Sequence, residues 1–333
     1  MVQVAQWAGL GQIPVYDVGP NFPLETLKLE EARAHALIDG ATRHVPRTAL
    51  KSLDEVSRRW LEKQDSAHLA EIDAVARLLR RPGAYFLSVN YEWGCTCRVT
   101  PAPDHKSARL IRVLDWRTPG LGRYIIAARV AGAAGQFVTL TWPGYTGVLQ
   151  AMAPGRFAAA LNQAPMSKPL GQFYLDWAVN RVRVWRMQHL TPAHLLREVF
   201  QIARSFAEAK AMLIKRPIST PGIYSLAGTK PSETVIIERS ESEARVHEGA
   251  NVTVNHWQAA GWCGHARGKD NAGRARQMHG VSSALDADFS WLAPPILNDN
   301  TRLVMIADAE RGQLVAQGIE AERVATEPLD LVT

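Results

Sequence analysis

Two thiols one residue apart, Cys95 and Cys97, close the segment Asn90-Tyr91-Glu92-Trp93-Gly94-Cys95-Thr96-Cys97. A cysteine at the start of a strand, after a glycine that lets the backbone bend, has the setting of a nucleophile. Arg112 and Asp115 follow 17 and 20 residues after Cys95, in the run RLIRVLDW. The turn signal Pro101-Ala102-Pro103-Asp104 predicts a hairpin that carries both charged residues back beside the thiol. An arginine there would lower the thiol pKa and favour the thiolate, and an aspartate would orient an amine or a water molecule next to it. The same residues admit a plainer reading, in which the thiols belong to the core and Arg112 pairs with Asp115 on a hairpin surface.

The elements that must position these residues fall into alternating blocks. Residues 24–80 read as helical, with apolar residues three and four apart in LETLKLEEARAHALI, LDEVSRRWLEKQ and AHLAEIDAVARLLRR, and Pro82-Gly83 as the stop. From Ala84 the texture becomes that of strands: AYFLSVNYEW, CTCRVT, ARLIRVLDW, RYIIAARV, QFVTLTW, GVLQAM and RFAAALN, separated by Pro, Gly and Asp turns. Thr191-Pro192 is an N-cap with proline at the first helical position, and Ser205 to Glu208 is a capping box opening a helix to about Lys215. A second strand set follows in IYSLAG, TVIIER, ARVHEG, NVTVNHW, RLVMIADA and QLVAQG. Between Trp257 and Ser290 lies a long loop-like segment rich in Gly, Arg and His. This order predicts two sheets packed face to face with helices outside.

Composition bounds the class. The 333 residues are 47% hydrophobic and 21% charged, with 24 Gly, 19 Pro and 3 Cys, which excludes a disordered, collagen-like or disulfide-stapled chain. The net charge of +6 over this length reads as solvation rather than a nucleic-acid footprint. Three cysteines cannot all pair, which argues for a reducing compartment or a thiol with a task. The start lacks a basic n-region, the first lysine being Lys28, so a cytoplasmic location is expected. The most apolar stretch, Tyr124 to Trp142, is broken by Arg129, Gln136 and three glycines and reads as two strands, so no membrane span is expected.

NYEWGCT followed by RVLDW resembles the junction and first hairpin of the acid ceramidase and N-acylethanolamine acid amidase group of N-terminal nucleophile (Ntn) hydrolases. That group is related to conjugated bile acid hydrolases, penicillin V acylases and acyl-CoA:6-aminopenicillanate acyltransferase. The resemblance continues, in the family's order, through WPGYTGVLQAMAPGRFAAALN, the helix pair in LLREVFQIARSFAEAKAMLIK, the hairpin ending in VNHW, and DNAGR, over roughly residues 80 to 315. It implies an α+β fold, the Ntn-hydrolase αββα four-layer sandwich with an N-terminal helical segment. It implies Cys95 as nucleophile, with Arg112 and Asp115 as the charged pair beside it. Asn162 would offer a backbone N–H to the oxyanion, Asn255 would be the side-chain oxyanion donor, and Arg274 the distal arginine, with Arg276 as the alternative. The nucleophile's own α-amino group would be the base, so the chain would first cut itself between Gly94 and Cys95 into an α segment, residues 1–94, and a catalytic β segment, residues 95–333, that stay associated. No cofactor or metal is implied.

The sequence departs from the pattern in places. Ile111-Arg112-Val113 stands where the family has Gly-Arg-Asn, the Cys95 to Arg112 spacing is one residue longer than usual, and Cys97 replaces a frequent serine. With Cys97 as nucleophile the spacing would be one too short, which favours Cys95. The expected activity is hydrolysis of a linear amide of an N-acyl small molecule, with acyl transfer through the same acyl-cysteine as the alternative. An apolar acyl group would be received among Trp142, Tyr145, Met152, Phe157 and Trp257, with His256 as a wall residue. Readings of another class are a structural zinc site of Cys95, Cys97, Cys263 and His265, and a basic binding surface. The latter would combine Arg181, Arg183 and Arg186, interleaved with Trp177 and Trp185 on an arginine-bearing strand, with the loop HARGKDNAGRAR. Oligomeric state is not readable from the sequence.

Overall fold

The computed structural model describes residues 9–89 and 93–333, so Asn90, Tyr91 and Glu92 of the approach to Cys95 lie outside the described residues. Strand β1 (Val15–Gly19) leads into helices α1 (Leu24–Leu29), α2 (Glu31–Thr42), α3 (Arg47–Lys63), α4 (Leu69–Leu79) and α5 (Ala84–Val89). Six strands follow: β2 (Trp93–Pro101), β3 (Ala108–Trp116), β4 (Ile126–Gly132), β5 (Gly135–Thr141), β6 (Gln150–Ala153) and β7 (Phe157–Gln163). Helices α6 (Phe173–Arg186), α7 (Pro192–Ile202) and α8 (Phe206–Lys215) precede β8 (Gly222–Ala227), β9 (Thr234–Arg239), β10 (Ala244–Glu248) and β11 (Asn251–Thr253). The chain closes with α9 (Asn271–His279), β12 (Thr301–Asp308), β13 (Gln313–Glu320), β14 (Arg323–Val324) and β15 (Leu329–Val332).

The strands form two sheets. One runs β1-β4-β5-β6-β7-β8-β9-β10, and the other β11-β2-β3-β12-β13-β14 with β15 also on β13. Strands β2 and β3 lie against β7 and β8, while α7 and α8 pack on the first sheet and α9 packs on β2 and β11 of the second. This is the αββα order expected from the sequence, with the N-terminal helices as an added segment. The long apolar run of β3 follows from burial on both faces. Leu110 and Leu114 enter the core between the sheets, with Cys95 and Cys97, whereas Ile111 and Val113 join Val304, Ile306 and Met278 beneath α9.

The helical segment is joined to the body by a polar seam. Arg197 of α7 is 2% exposed and donates to both carboxylate oxygens of Glu71 in α4, at 2.6 and 2.7 Å, and to Phe22 O and Thr146 O. His68 stacks on His194 of α7 with ring centroids 4.3 Å apart. Burial holds the His194 ring well below its usual pKa, so it is neutral.

The caps at Thr191 and Ser205 are as expected: Thr191 Oγ1 accepts from His194 N and Ser205 Oγ from Glu208 N. Three elements differ from the sequence reading. AYFLSV, expected as strand, is helix α5, because the Asp54 carboxylate of α3 accepts from Gly83 N and Phe86 N at 2.6 and 2.9 Å and caps it from outside. The arginine-rich NRVRVWR, expected as strand, lies in helix α6, whose fully buried Asp176 accepts from Leu170 N and from His265 Nε2. These tertiary anchors override the β preference of its Val-x-Val pattern. The Trp257 to Ser290 segment contains α9, capped by Asp270 Oδ1 accepting from Gly273 N.

Glu71→Ala leaves the Arg197 guanidinium buried with the Phe22 and Thr146 carbonyls and a long contact to His68 Nδ1, but no counter-charge. The expected cost is about 2 kcal/mol by urea denaturation at pH 7, the partly exposed Glu71 reducing the value for a fully buried pair. Burial raises the Glu71 carboxyl pKa, but hydrogen bonds from His68 and Arg197 outweigh it and hold the group below its usual value. The stabilisation is therefore present above the unfolded carboxyl pKa, about 4.3, and is lost as pH falls through the lower folded one, so the gap between wild type and variant should narrow as pH falls below about 4.3. Equal midpoints at pH 7 would contradict the seam.

Candidate active site

The register of the β2–β3 hairpin sets the site. Gly94 is opposite Asp115, Cys95 opposite Leu114, and Cys97 opposite Arg112. Partners directly across a sheet share a face and neighbours along a strand do not. Asp115 and Arg112, three residues apart, therefore project from opposite faces of the hairpin. Asp115 faces α9 with Gly94, and Arg112 faces the inter-sheet core with Cys95 and Cys97. The Gly94–Cys95 peptide bond lies between the two groups.

On the core side, Cys95 and Cys97 are fully buried. Arg112 Nη1 donates to Cys97 Sγ at 3.3 Å and to Asn162 Oδ1 of β7 at 2.5 Å, and the Cys97 thiol donates to the same Oδ1 at 3.0 Å. The Cys95 thiol lies 3.9 Å from Leu161 O. Burial pushes the Cys95 thiol up to about 12, against the lowering effect of Arg112. The expectation that Arg112 makes Cys95 a thiolate is thus corrected for the uncut chain: desolvation wins, and Cys95 is a thiol.

On the α9 side, Arg274 collects the polar groups. Its Nη1 donates to Cys95 O and Thr96 Oγ1 at 2.9 Å and to Asp115 Oδ2 at 3.3 Å; its Nη2 donates to Asn271 Oδ1 at 2.6 Å and Asn255 Oδ1 at 3.3 Å. Arg276 is exposed on the same helix, so of the two candidates it is Arg274 that reaches the hairpin. Asn255 Oδ1 also accepts from the Cys95 amide N–H at 2.7 Å, and its Nδ2 donates to Gln163 O at 2.8 Å. Asp115 Oδ1 accepts from Thr301 Oγ1 at 2.9 Å, and burial raises its carboxyl pKa against the pull of Arg274. All six residues expected from the sequence, Cys95, Arg112, Asp115, Asn162, Asn255 and Arg274, are buried; Asn255, Arg274 and Asp115 gather at the Gly94–Cys95 bond, whereas Arg112 and Asn162 meet two residues on, at Cys97.

Beside them lies a cavity of about 280 Å³. Trp93, Asn162 and Gln163 line it from the strands, Trp60 from α3, and Phe173, Trp177 and Trp185 from α6. The residues expected to receive an acyl group are elsewhere: Trp142, Met152 and Phe157 belong to the core, Tyr145 packs against it, and Trp257 stacks edge-on with Trp262. His256 does not line the cavity either. Most of the cavity's aromatic lining comes from helices α3 and α6, which a strand reading of α6 conceals.

Two other expectations fail on geometry. Among the described residues no three His, Cys, Asp or Glu side chains gather into a set that could hold a metal, and His265, expected as a zinc ligand, instead bonds Asp176 at 2.8 Å. The expected basic surface is divided: Arg274 is buried in the site, Arg267 Nε donates to Ala164 O, and Lys269 pairs with Asp299. Arg181 rests on the Trp177 ring and Arg183 bonds Ser167. The site also contains residues the sequence reading missed. Gln163 Oε1 accepts from Trp93 N, Asn271 and Thr96 hold Arg274, and Thr301 holds Asp115. Gln163 and Asn271 adjoin motif residues and were within reach; nothing local marks Thr301.

No family model matches the chain. Among curated proteins, acid ceramidase of Homo sapiens is 29% identical over 108 residues, covering 32% of this chain and 26% of that protein. Acid ceramidase of Bos taurus is 26% identical over 111 residues, with the same two coverages. The matched stretch thus spans about a quarter of the length of these curated relatives. Among solved structures, a Caenorhabditis elegans N-acylethanolamine-hydrolyzing acid amidase ortholog is 19% identical with a TM-score of 0.47, covering 64% of this chain and 92% of that one. A mutant conjugated bile acid hydrolase from Clostridium perfringens is 11% identical with a TM-score of 0.37, covering 71% and 92%. The acid ceramidase likeness expected from the motifs is present in curated proteins over a third of the chain.

Iodoacetamide at pH 8 should alkylate exposed Cys263 in the native 333-residue species and leave Cys95 and Cys97 unmodified until denaturant is added. Peptide mass mapping reads the result, and native labelling of Cys95 at the rate of Cys263 would contradict its burial.

Proposed function

We propose that the chain is a cysteine Ntn amidohydrolase of the acid ceramidase type, which cuts its own Gly94–Cys95 bond and then hydrolyses a linear amide of an apolar acyl group. One observation carries this reading: Asn255, Arg274 and Asp115, from the turn after β11, α9 and β3, gather at that single bond, while Arg112 of β3 and Asn162 of β7 hold Cys97, two residues beyond the Cys95 thiol. The acid ceramidase relatives support the amide class. The tryptophan-lined cavity supports an apolar acyl group.

In the self-cut, Cys95 Sγ attacks the Gly94 carbonyl carbon, the C–N bond breaks, and the Cys95 nitrogen takes a proton. Water hydrolyses the resulting thioester, leaving the Gly94 carboxylate and a free Cys95 α-amine. Asn255 Oδ1 orients the amide by accepting its N–H, and Arg274 fixes the next carbonyl, Cys95 O. In turnover the α-amine, with a pKa of about 7.7–8.0, takes the thiol proton and later gives it to the leaving amine. Asp115, directly across from Gly94, is the carboxylate that would hold that ammonium. The oxyanion would be met by the Asn255 side-chain amide and a backbone N–H at Asn162, and loss of one such donor typically costs about 100- to 1000-fold in turnover. The severed segment, residues 1–94, would stay bound through the Glu71–Arg197 seam and the pairing of β1 with β4.

Intact-mass spectrometry should find wild type split into chains of 94 and the remaining 239 residues, with Cys95→Ala whole. A Cβ added at Gly94 would lie 3.3 Å from Asp115 Cβ, tighter than ordinary contact. Gly94→Val should therefore displace the carboxylate and slow the cut by about 100-fold. Wild type that stays whole from pH 4.5 to 8, or Cys95→Ala that is cut at the same bond, would overturn the reading.

A further inference from the structure

Arg112 is fully buried, yet two of its three guanidinium nitrogens, Nε and Nη2, have no hydrogen-bond partner among the described residues. The orientation of this cation therefore depends on Nη1, which has two partners, Cys97 Sγ and Asn162 Oδ1. Those partners are themselves joined, because the Cys97 thiol donates to Asn162 Oδ1 at 3.0 Å. The three groups close a ring across the sandwich, with Cys97 on β2, Arg112 on β3 and Asn162 on β7. Asn162 Nδ2 extends it by donating to Thr253 O and Val254 O, just before Asn255. The ring thus ties together β2, β3, β7 and the end of β11.

We propose that Cys97 is a positioning residue for the Cys95 reaction: its thiol, acting as donor and acceptor at once, holds the Arg112 guanidinium and the Asn162 side chain in place. The proposal rests on the Ntn reading above. A hydroxyl has the same two hydrogen-bonding capacities as a thiol, whereas a methyl group has neither. Without Cys97 as acceptor, Arg112 keeps one oriented bond, to a carbonyl oxygen that has lost its thiol donor. The guanidinium then turns toward other acceptors, since its idle donors are costly to leave buried.

The consequence is electrostatic. The charged and titratable groups acting on the Cys95 thiol are Arg112 and Asp115 of β3, Cys97 of β2 and Arg274 of α9. Arg112 is the largest influence in favour of the thiolate, so a displaced Arg112 makes the thiolate harder to form.

The test is the rate of self-cleavage between pH 5 and 9, followed by intact mass, in wild type, Cys97→Ser, Cys97→Ala and Cys97→Val. It requires no substrate to be known. Cys97→Ser should cut within about threefold of wild type with the same pH dependence, keeping both hydrogen bonds. Cys97→Ala and Cys97→Val should cut about 10- to 100-fold more slowly. Their rate-against-pH curves should be displaced upward by about one unit, because the opposite charge next to the nucleophile is no longer fixed. Val fills the space of the thiol, so a defect shared by Ala and Val and relieved by Ser separates hydrogen bonding from packing. If all three variants match wild type in rate and pH dependence, Cys97 only fills space and the proposal falls. If Ser fails as badly as Ala, or Cys97 variants abolish cutting while Cys95→Ala is cut, Cys97 does not act by positioning and the proposal falls. Wild type that is never cut would instead sink the Ntn reading beneath it.

Discussion

The pairing of Gly94 with Asp115 and of Cys97 with Arg112 is the constraint on which the rest of the site depends. Because a strand alternates its side chains, this register sends the carboxylate to the helix-covered face and the guanidinium into the core. A slip of one residue would exchange the faces and bury Asp115 among the leucines of the inter-sheet core. The sandwich then supplies the remaining groups by topology. The β9–β10 hairpin ends at the edge of one sheet, and the chain crosses at once to β11 on the edge of the other, beside β2. That crossing delivers Asn255 to the amide of Cys95, while the facing strand β7 delivers Asn162 from across the core.

Burying this many polar groups is tolerable only because they satisfy one another. Arg274 spends its donors on a carboxylate, two side-chain amides, a hydroxyl and backbone carbonyls, which fixes α9 against the second sheet. Arg112 is the exception, held by one nitrogen while the other two have no hydrogen-bond partner among the described residues. The Cys95 thiol is kept protonated by the same exclusion of water that makes each of these hydrogen bonds strong. Under the proposed mechanism the uncut chain is therefore assembled but quiescent. Cutting the bond at Cys95 would exchange an amide N–H for an amine that can accept the thiol proton.

Most of the chemistry was legible because it resides in strands whose side-chain period is short and whose turns carry Pro, Gly and Asp. The hairpin from Cys95 to Asp115 follows from one turn, and the caps at Thr191 and Ser205 from local hydrogen-bond chemistry. The segments that escaped are held by distant residues. Helix α5 is capped by Asp54, 30 positions before its start at Ala84, and α6 is pinned by His265 through Asp176. Their local patterns, AYFLSV and VRVW, favour strands. The error on α6 mattered most, because that helix contributes Phe173, Trp177 and Trp185 to the cavity, whereas the aromatics expected there from sequence lie in the core or against it. The seam of Arg197 with Glu71 left no trace in the sequence, since it joins residues 126 positions apart.

Under the proposed mechanism the sulfur of Cys95, freed at its amino end, is the atom that takes the acyl group. The most direct test is to mix the protein briefly with p-nitrophenyl laurate, quench in acid, and measure the masses of the chains and their peptides. One lauroyl group is expected on the 239-residue chain, as a thioester on its first residue, Cys95, that disappears on longer incubation. An acyl group found on Cys97 or Cys263, or on an uncut 333-residue chain, would contradict that mechanism.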